Sequence, residues 1–155
     1  MTSPLTPAAM APCELCTGTG GRVLWQDGRC RVVSVPDGDY PGFCRVIWNT
    51  HARELTDLSA EDRDHLMGVV WATESAVRRV TGAHKINLAS LGNVCPHVHW
   101  HVIPRHAEDA HFPAPVWAER KRLGTPVGDP ALLAEDIRAL LAHSLGAGAS
   151  DGGAP

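Results

Sequence analysis

Apolar positions along this chain switch between two rhythms, short β-branched runs and longer stretches of helical period. "RVLW" (22–25) and "CRVVSV" (30–35) flank Gln26-Asp27-Gly28-Arg29, and Asp-Gly between two such runs predicts a hairpin. "FCRVIWN" (43–49) predicts a third strand, introduced by the turn residues of "DGDYPG". Leu66, Val69, Val70, Thr73, Val77 and Val80 then fall at helical spacing. Ser59 followed by Asp62 resembles a capping box at the start of that helix, and Gly82 is a natural stop. "HKINLAS" (84–90) and "HVHWHVI" (97–103) read as strands joined by a turn containing Gly92 and Asn93. A last helix follows, with Asp129 as N-cap, Pro130 at its first position and Gly146 beyond its end. Three strands, a helix, two strands and a terminal helix, joined by short loops, predict an α+β fold. It would have an antiparallel sheet of about five strands with one long helix packed on it.

Residues 1–12 are rich in Pro, Ala, Ser and Thr, and residues 146–155 are of low complexity, so both ends read as flexible tails. With no repeat or linker between them, 13–145 read as one domain. The balance of 44% hydrophobic and 20% charged residues is that of a soluble globular chain with a real core. A formal net charge of −3 supplies no basic field for a nucleic acid polymer or an anionic membrane, although a local site can still bind phosphate. No apolar run is long enough to span a bilayer, and the N-terminus lacks the basic start and apolar stretch of a signal peptide, which predicts a cytoplasmic protein. Five cysteines at irregular spacing argue against a secreted disulfide framework. Cys30, Cys44 and Cys95 sit in apolar contexts and are expected to be buried thiols.

The chemistry concentrates in "HVHWHVIPR" (97–105). Alternate residues of a strand share a face. His97, His99 and His101 therefore share one, and Val98, Trp100 and Val102 the other, facing the core. Three imidazoles in register are hard to explain as packing. They could chelate a metal ion. Alternatively, one neutral imidazole could attack an electrophile while a neighbour handles protons. Periodicity alone leaves both readings open.

"KINLASLGNVCPHVHWHVIPR" (85–105) resembles the histidine-triad family of nucleotide hydrolases and transferases, with Val102 and Ile103 completing the signature. The resemblance extends less tightly over Cys13 to Val116 and includes "VIWNTHARELTDLS". It implies that His99 is the nucleophile, attacking an α-phosphate to form a nucleotidyl-histidine that water hydrolyses. It further implies that His97 orders the site and that His101 orients the nucleophile or contacts phosphate oxygens. Asn87 and Asn93 match amides that hold phosphate, ribose or the leaving group; each could equally bond across strands or make a turn. Arg105 could steer phosphate. Two departures concern the leaving group: Gly42-Phe43 stands where relatives often have Gly-His, and Val94 where they often carry a hydroxyl.

"CELC" (Cys13, Cys16) has zinc-ligand spacing but supplies two ligands of the usual four. The family resemblance implies His51 and His97 as the others, in a structural Cys2His2 site. Two free thiols or a redox pair are the alternatives. The "TGTGG" that follows is not a Walker loop. His65 and His143 read as surface or half-buried helix residues. His106 and His111 follow the triad strand and could approach substrate or simply be solvated, while Phe112 and Trp117 are placed near the site's exit, to contact a base or pack the dimer. The resemblance also implies a homodimer, with no organic cofactor. The expected substrates are purine nucleoside phosphoramidates, dinucleoside polyphosphates or nucleotide sugars. A nucleotide-binding regulatory module with little turnover, and a hydrolase whose triad itself holds a metal, are the competing functions.

Overall fold

The computed structural model describes residues 12–148. Most of the two expected tails therefore falls outside the described residues. Five strands form one antiparallel sheet: β1 (Arg22–Gln26), β2 (Cys30–Ser34), β3 (Cys44–Trp48), β4 (Lys85–Ala89) and β5 (His99–Arg105). Their order is β1-β2-β3-β5-β4, with the triad strand between β3 and the edge strand β4. The α+β architecture expected from the sequence is the one observed.

Local chemistry accounts for most boundaries. The Asp27 carboxylate accepts from the amides of Arg29 and Cys30 and so closes the first hairpin. His65 Nε2 bonds to the same carboxylate at 2.7 Å, tying the turn to the long helix. That helix, Ala60–Thr81, starts at Ser59, whose hydroxyl accepts from the Asp62 amide, and ends at left-handed Gly82. The reciprocal capping box lies one turn earlier, between Glu54 and Asp57 of a short 3-10 segment, Leu55–Asp57, that periodicity did not reveal. The terminal helix, Pro130–Leu145, has the expected Asp129 cap.

The core lies between the sheet and these two helices. It joins Val32, Val46, Val98, Val102 and Ile86 of the sheet side to Leu66, Val69, Val70 and Val77, and to Ile137 and Leu141. Each such fully buried side chain contributes on the order of 1.5–3 kcal/mol. The buried stripe runs on to Thr81, while Val80 is only partly buried. The burial of two hydroxyls is explained by their bonds: Thr73 donates to Val69 O and Thr81 to Val77 O.

Two expectations required revision. The last strand begins at His99 rather than His97, because Val98 bonds irregularly to Trp48 and Ala52 as the chain enters the sheet. The CxxC segment, to which the sequence pattern assigned no element, folds as a helical turn, Glu14–Thr17, with the Cys13 carbonyl accepting from Cys16 and Thr17. Gly20 and Gly21 let this turn lie close on the sheet. Gly20 has φ +81°, and a Cβ there would come within 2.7 Å of Ile47 Cδ1.

Below the triad the chain is fixed by one carboxylate. Asp109 accepts six hydrogen bonds: two from Arg105, three from the amides of His106, His111 and Phe112, and one from Tyr40. The Arg105–Asp109 pair is 2%/2% exposed. Against burial, the Arg105 guanidinium and these amides hold the Asp109 carboxyl well below the usual carboxylate range. Its stabilising contribution is therefore complete above the unfolded aspartate value of ~3.9 and is lost as pH falls toward its own lower value. Urea unfolding of Asp109→Asn at pH 7 is expected to show a loss of about 3–5 kcal/mol, since the buried arginine loses its counter-charge. The gap to wild type should narrow at pH 3; an equal gap at both values would contradict this account.

Candidate functional site

The alternation of β5 puts His99 and His101 on the face opposite the helices, His97 precedes them where the chain enters the sheet, and all three are buried. The three rings have three different assignments. His97 Nε2 bonds to the Trp48 carbonyl. A carbonyl only accepts, so Nε2 carries the proton and Nδ1 keeps a lone pair. That Nδ1 lies 3.3 Å from Cys13 Sγ and 3.5 Å from Cys16 Sγ. The His97 carbonyl in turn accepts from His99 Nδ1 at 2.6 Å, which leaves the lone pair of His99 on Nε2. The His101 ring packs against those of His99 (4.9 Å), Trp117 (5.1 Å) and Phe43 (5.7 Å), and its Nδ1 has no partner. Burial lowers the His99 pKa, with the Arg45 and His97 charges acting in the same sense and the carbonyl bond opposing them. Burial, with the His99 and Arg45 charges, pushes His101 down to about 4.

His99 and His101 open onto a cavity of about 370 Å³. The CxxC turn, the Leu91–Cys95 loop and Trp117 form its walls. Asn93 lines it. Asn87 is on the triad face beside Ile103, further along the sheet, with its Oδ1 taken by Arg105. Arg105 is not brought to the triad as a free cation. Its guanidinium is spent on Asp109, Asn87 and the Ala114 carbonyl. His111 is likewise occupied, by Tyr40 Oη at 2.6 Å. Phe112 packs on His84 rather than on the triad, whereas Trp117 does contact it.

Two arginines that the sequence reading passed over shape this face. Arg31 donates four hydrogen bonds, to the carbonyls of Leu15, Gly18 and Thr19 and to Asn49, and pins the CxxC turn to the sheet. Arg45 is the Cα partner of His101 and lines the cavity. The available signal is a charged residue within an apolar strand, flanked by Cys44 and Val46, which strand alternation puts on the opposite face.

At one end of the triad face the ligand atoms of Cys13, Cys16, His51 and His97 lie within 4.8 Å of one another. Cys16 Sγ is 3.4 Å from His51 Nδ1. Sulfur–nitrogen edges of roughly 3.5 Å are what a tetrahedral ion with ordinary Zn–S and Zn–N bonds requires, so these three edges and the donor set fit such an ion. Burial opposes ionisation of Cys13, but hydrogen bonding with Cys16, His97 and His51 outweighs it and brings the thiol to about 6. Cys30 and Cys44 are buried as expected, with thiols pushed up to about 12. Cys95 departs from its expectation. It is only partly buried, and its Sγ is 3.8 Å from that of Cys13. Among the described residues, the other potential metal group is Asp27, Cys30 and His65; the three triad rings do not form one. Among these residues, too, no helix is long and apolar enough to cross a membrane.

The fold recurs in solved structures. A histidine triad protein from Bradyrhizobium japonicum is 26% identical, with TM-score 0.65 over 81% of this chain and 91% of its own. Another from Marinobacter aquaeolei is 25% identical, with TM-score 0.69 over 86% and 96%. A Zn-bound histidine triad family protein from Mycobacterium smegmatis shares the fold at 21% identity, with TM-score 0.61 over 85% and 94%. No curated protein matches the chain. The family model of the HIT domain matches residues 19–108, more than half of the sequence and all of the triad. With that match and the three in-register histidines together, the chain belongs to the HIT domain family.

Proposed function

We propose that this protein hydrolyses or transfers the nucleotidyl group of a nucleotide conjugate through a covalent bond to His99. One observation carries the reading: the His97 carbonyl holds the proton on His99 Nδ1, so Nε2 bears the lone pair in a ring that lines a cavity. In the first step Nε2 attacks the α-phosphorus, forming a P–N bond as the bond to the leaving group breaks; the leaving group departs with a proton drawn from solvent. Water then attacks the same phosphorus and the P–N bond breaks. This releases the nucleoside monophosphate and a proton and regenerates free His99. His97 holds the nucleophile's tautomer, and His101, packed edge-to-face on His99, orients it. Asn93 and the free amide nitrogen of Asn87 serve as donors to phosphate, ribose or leaving group. Arg105 has no such role, since its donors are committed within the fold. Phosphoramidates, dinucleoside polyphosphates and nucleotide sugars are the substrate classes.

Zinc is the ion assigned to Cys13, Cys16, His51 and His97. Support comes from the donor set, the lone pair on His97 Nδ1, and the zinc carried by the Mycobacterium smegmatis relative. When bound, it would fix the CxxC turn against the triad strand. The protein is assigned to the cytoplasm and to a homodimer without nucleic acid or membrane partners. In support of the dimer, β4 is an edge strand carrying the exposed Leu88. The competing reading is a regulatory module that binds nucleotide with little turnover. It is favoured by Val94, which stands, 97% exposed, where a leaving-group hydroxyl is often found.

Intact-protein mass after rapid mixing with adenosine phosphoramidate and, separately, diadenosine tetraphosphate tests the mechanism. AMP release with an adenylyl adduct that His99→Ala abolishes is expected, along with a rate at least ~10³-fold lower in the variant. Nucleotide binding without turnover would move the regulatory reading ahead. Elemental analysis of protein purified without added metal is expected to find one zinc per chain, lost in Cys16→Ala and His51→Ala. Thermal and urea unfolding of these variants should show a loss of at least ~2.7 kcal/mol, the linkage contributed by a ligand at 100 times its Kd.

A further inference from the structure

Three arginines on the sheet's triad side are at least partly buried, and two of them donate from all three guanidinium nitrogens. Arg31 makes four hydrogen bonds to the CxxC turn and Asn49, and Arg105 makes four to Asp109, Asn87 and Ala114. Arg45 is the exception. Its Nε is shut off from solvent without a hydrogen-bond partner. Its guanidinium enters none of the ion pairs formed among the described residues. Glu14 lines the same cavity, yet the two do not pair. A guanidinium stays charged at any pH a protein tolerates, so this partly buried cation cannot relieve itself by losing a proton.

The surroundings indicate what would complete it. Arg45 is the Cα partner of His101, so the two side chains stand next to each other on one face of β3 and β5. His101 Nδ1 is also buried and unpartnered. Two neighbouring residues that line the cavity holding His99 each carry a buried, unpartnered nitrogen, which marks a place where polar groups from outside the chain belong. The ligand must carry negative charge, because a neutral group would leave the cation uncompensated. The planar fork of the guanidinium suits two oxygens of one phosphoryl group.

We propose that Arg45 is a phosphate-binding residue of the active site, donating to the non-bridging oxygens of the phosphoryl group that faces His99. This rests on the nucleotide reading above and names the charged group that receives the substrate's phosphate. Arg45 then serves both ground-state binding and the charge that develops as the phosphorus is attacked.

Calorimetric titration of the four ribonucleoside 5′-monophosphates and their nucleosides against wild type, Arg45→Gln and Arg45→Lys tests it. Arg45→Gln is expected to weaken the bound monophosphate about 10- to 100-fold and leave nucleoside affinity unchanged, with partial recovery in Arg45→Lys. Monophosphate affinity within twofold of wild type in Arg45→Gln would overturn the inference and leave the nucleotide reading standing. Parallel losses for monophosphate and nucleoside would also overturn it, making Arg45 a packing element. A wild type that does not prefer any monophosphate to its nucleoside would remove both readings together. The Arg45 Nε resonance of the wild-type protein gives a check that needs no variant. It should shift on adding the bound monophosphate and not on adding its nucleoside; a resonance unmoved by both would count against the proposal.

Discussion

His97 is the residue on which the site depends, because each of its polar groups has a different task. Nε2 anchors the ring to the Trp48 carbonyl at the end of β3, and Nδ1 faces the two cysteines of the CxxC turn. Its carbonyl selects the tautomer of His99, and its amide bonds back to Cys95. One imidazole therefore connects the candidate metal centre to the candidate nucleophile through covalent geometry and a single hydrogen bond. A shift in the CxxC turn would rotate His97 and misplace the acceptor that keeps the lone pair on His99 Nε2. The ligands of a site of this kind are held by their neighbours as much as by any ion.

The rest of the fold keeps that segment in place. Val98, just before β5, and Val102 within it are locked into the core with the long helix, so the strand cannot slip by one residue without carrying its histidines into the core. Arg31 holds the CxxC turn from below, and Asp109 gathers the chain that leaves β5 around Arg105. Both arginines are buried and donate from every guanidinium nitrogen, and both act as structural posts at the two ends of the triad face. Between them lies the cavity, with Arg45 as a cation that the fold does not itself satisfy.

Residue type alone did not distinguish these arginines. Arg105 adjoins the triad motif in sequence and reads as a phosphate ligand, yet Asp109, four residues on, claims it. Arg45 is far from the motif in sequence and was passed over, yet strand pairing sets it against His101. The same contrast separates the cysteines. Cys30 and Cys44 are inert core thiols, as their apolar neighbours suggest, while Cys95 lies beside Cys13 because the loop before the triad folds back over the CxxC turn.

The sequence by itself determined the order of elements, the two faces of β5, the hairpin at Asp27-Gly28 and the caps at Ser59 and Asp129, because each follows from local period or from one side chain meeting nearby amides. It also identified the triad, and with it the family. Only the tertiary structure decided the tautomer of His99, the convergence of Cys13, Cys16, His51 and His97, and which arginine remains free. These depend on contacts between residues tens of positions apart, such as Cys13 with His97 and Arg45 with His101. Strand register and loop closure set those distances, and neither is written in the spacing of any single segment.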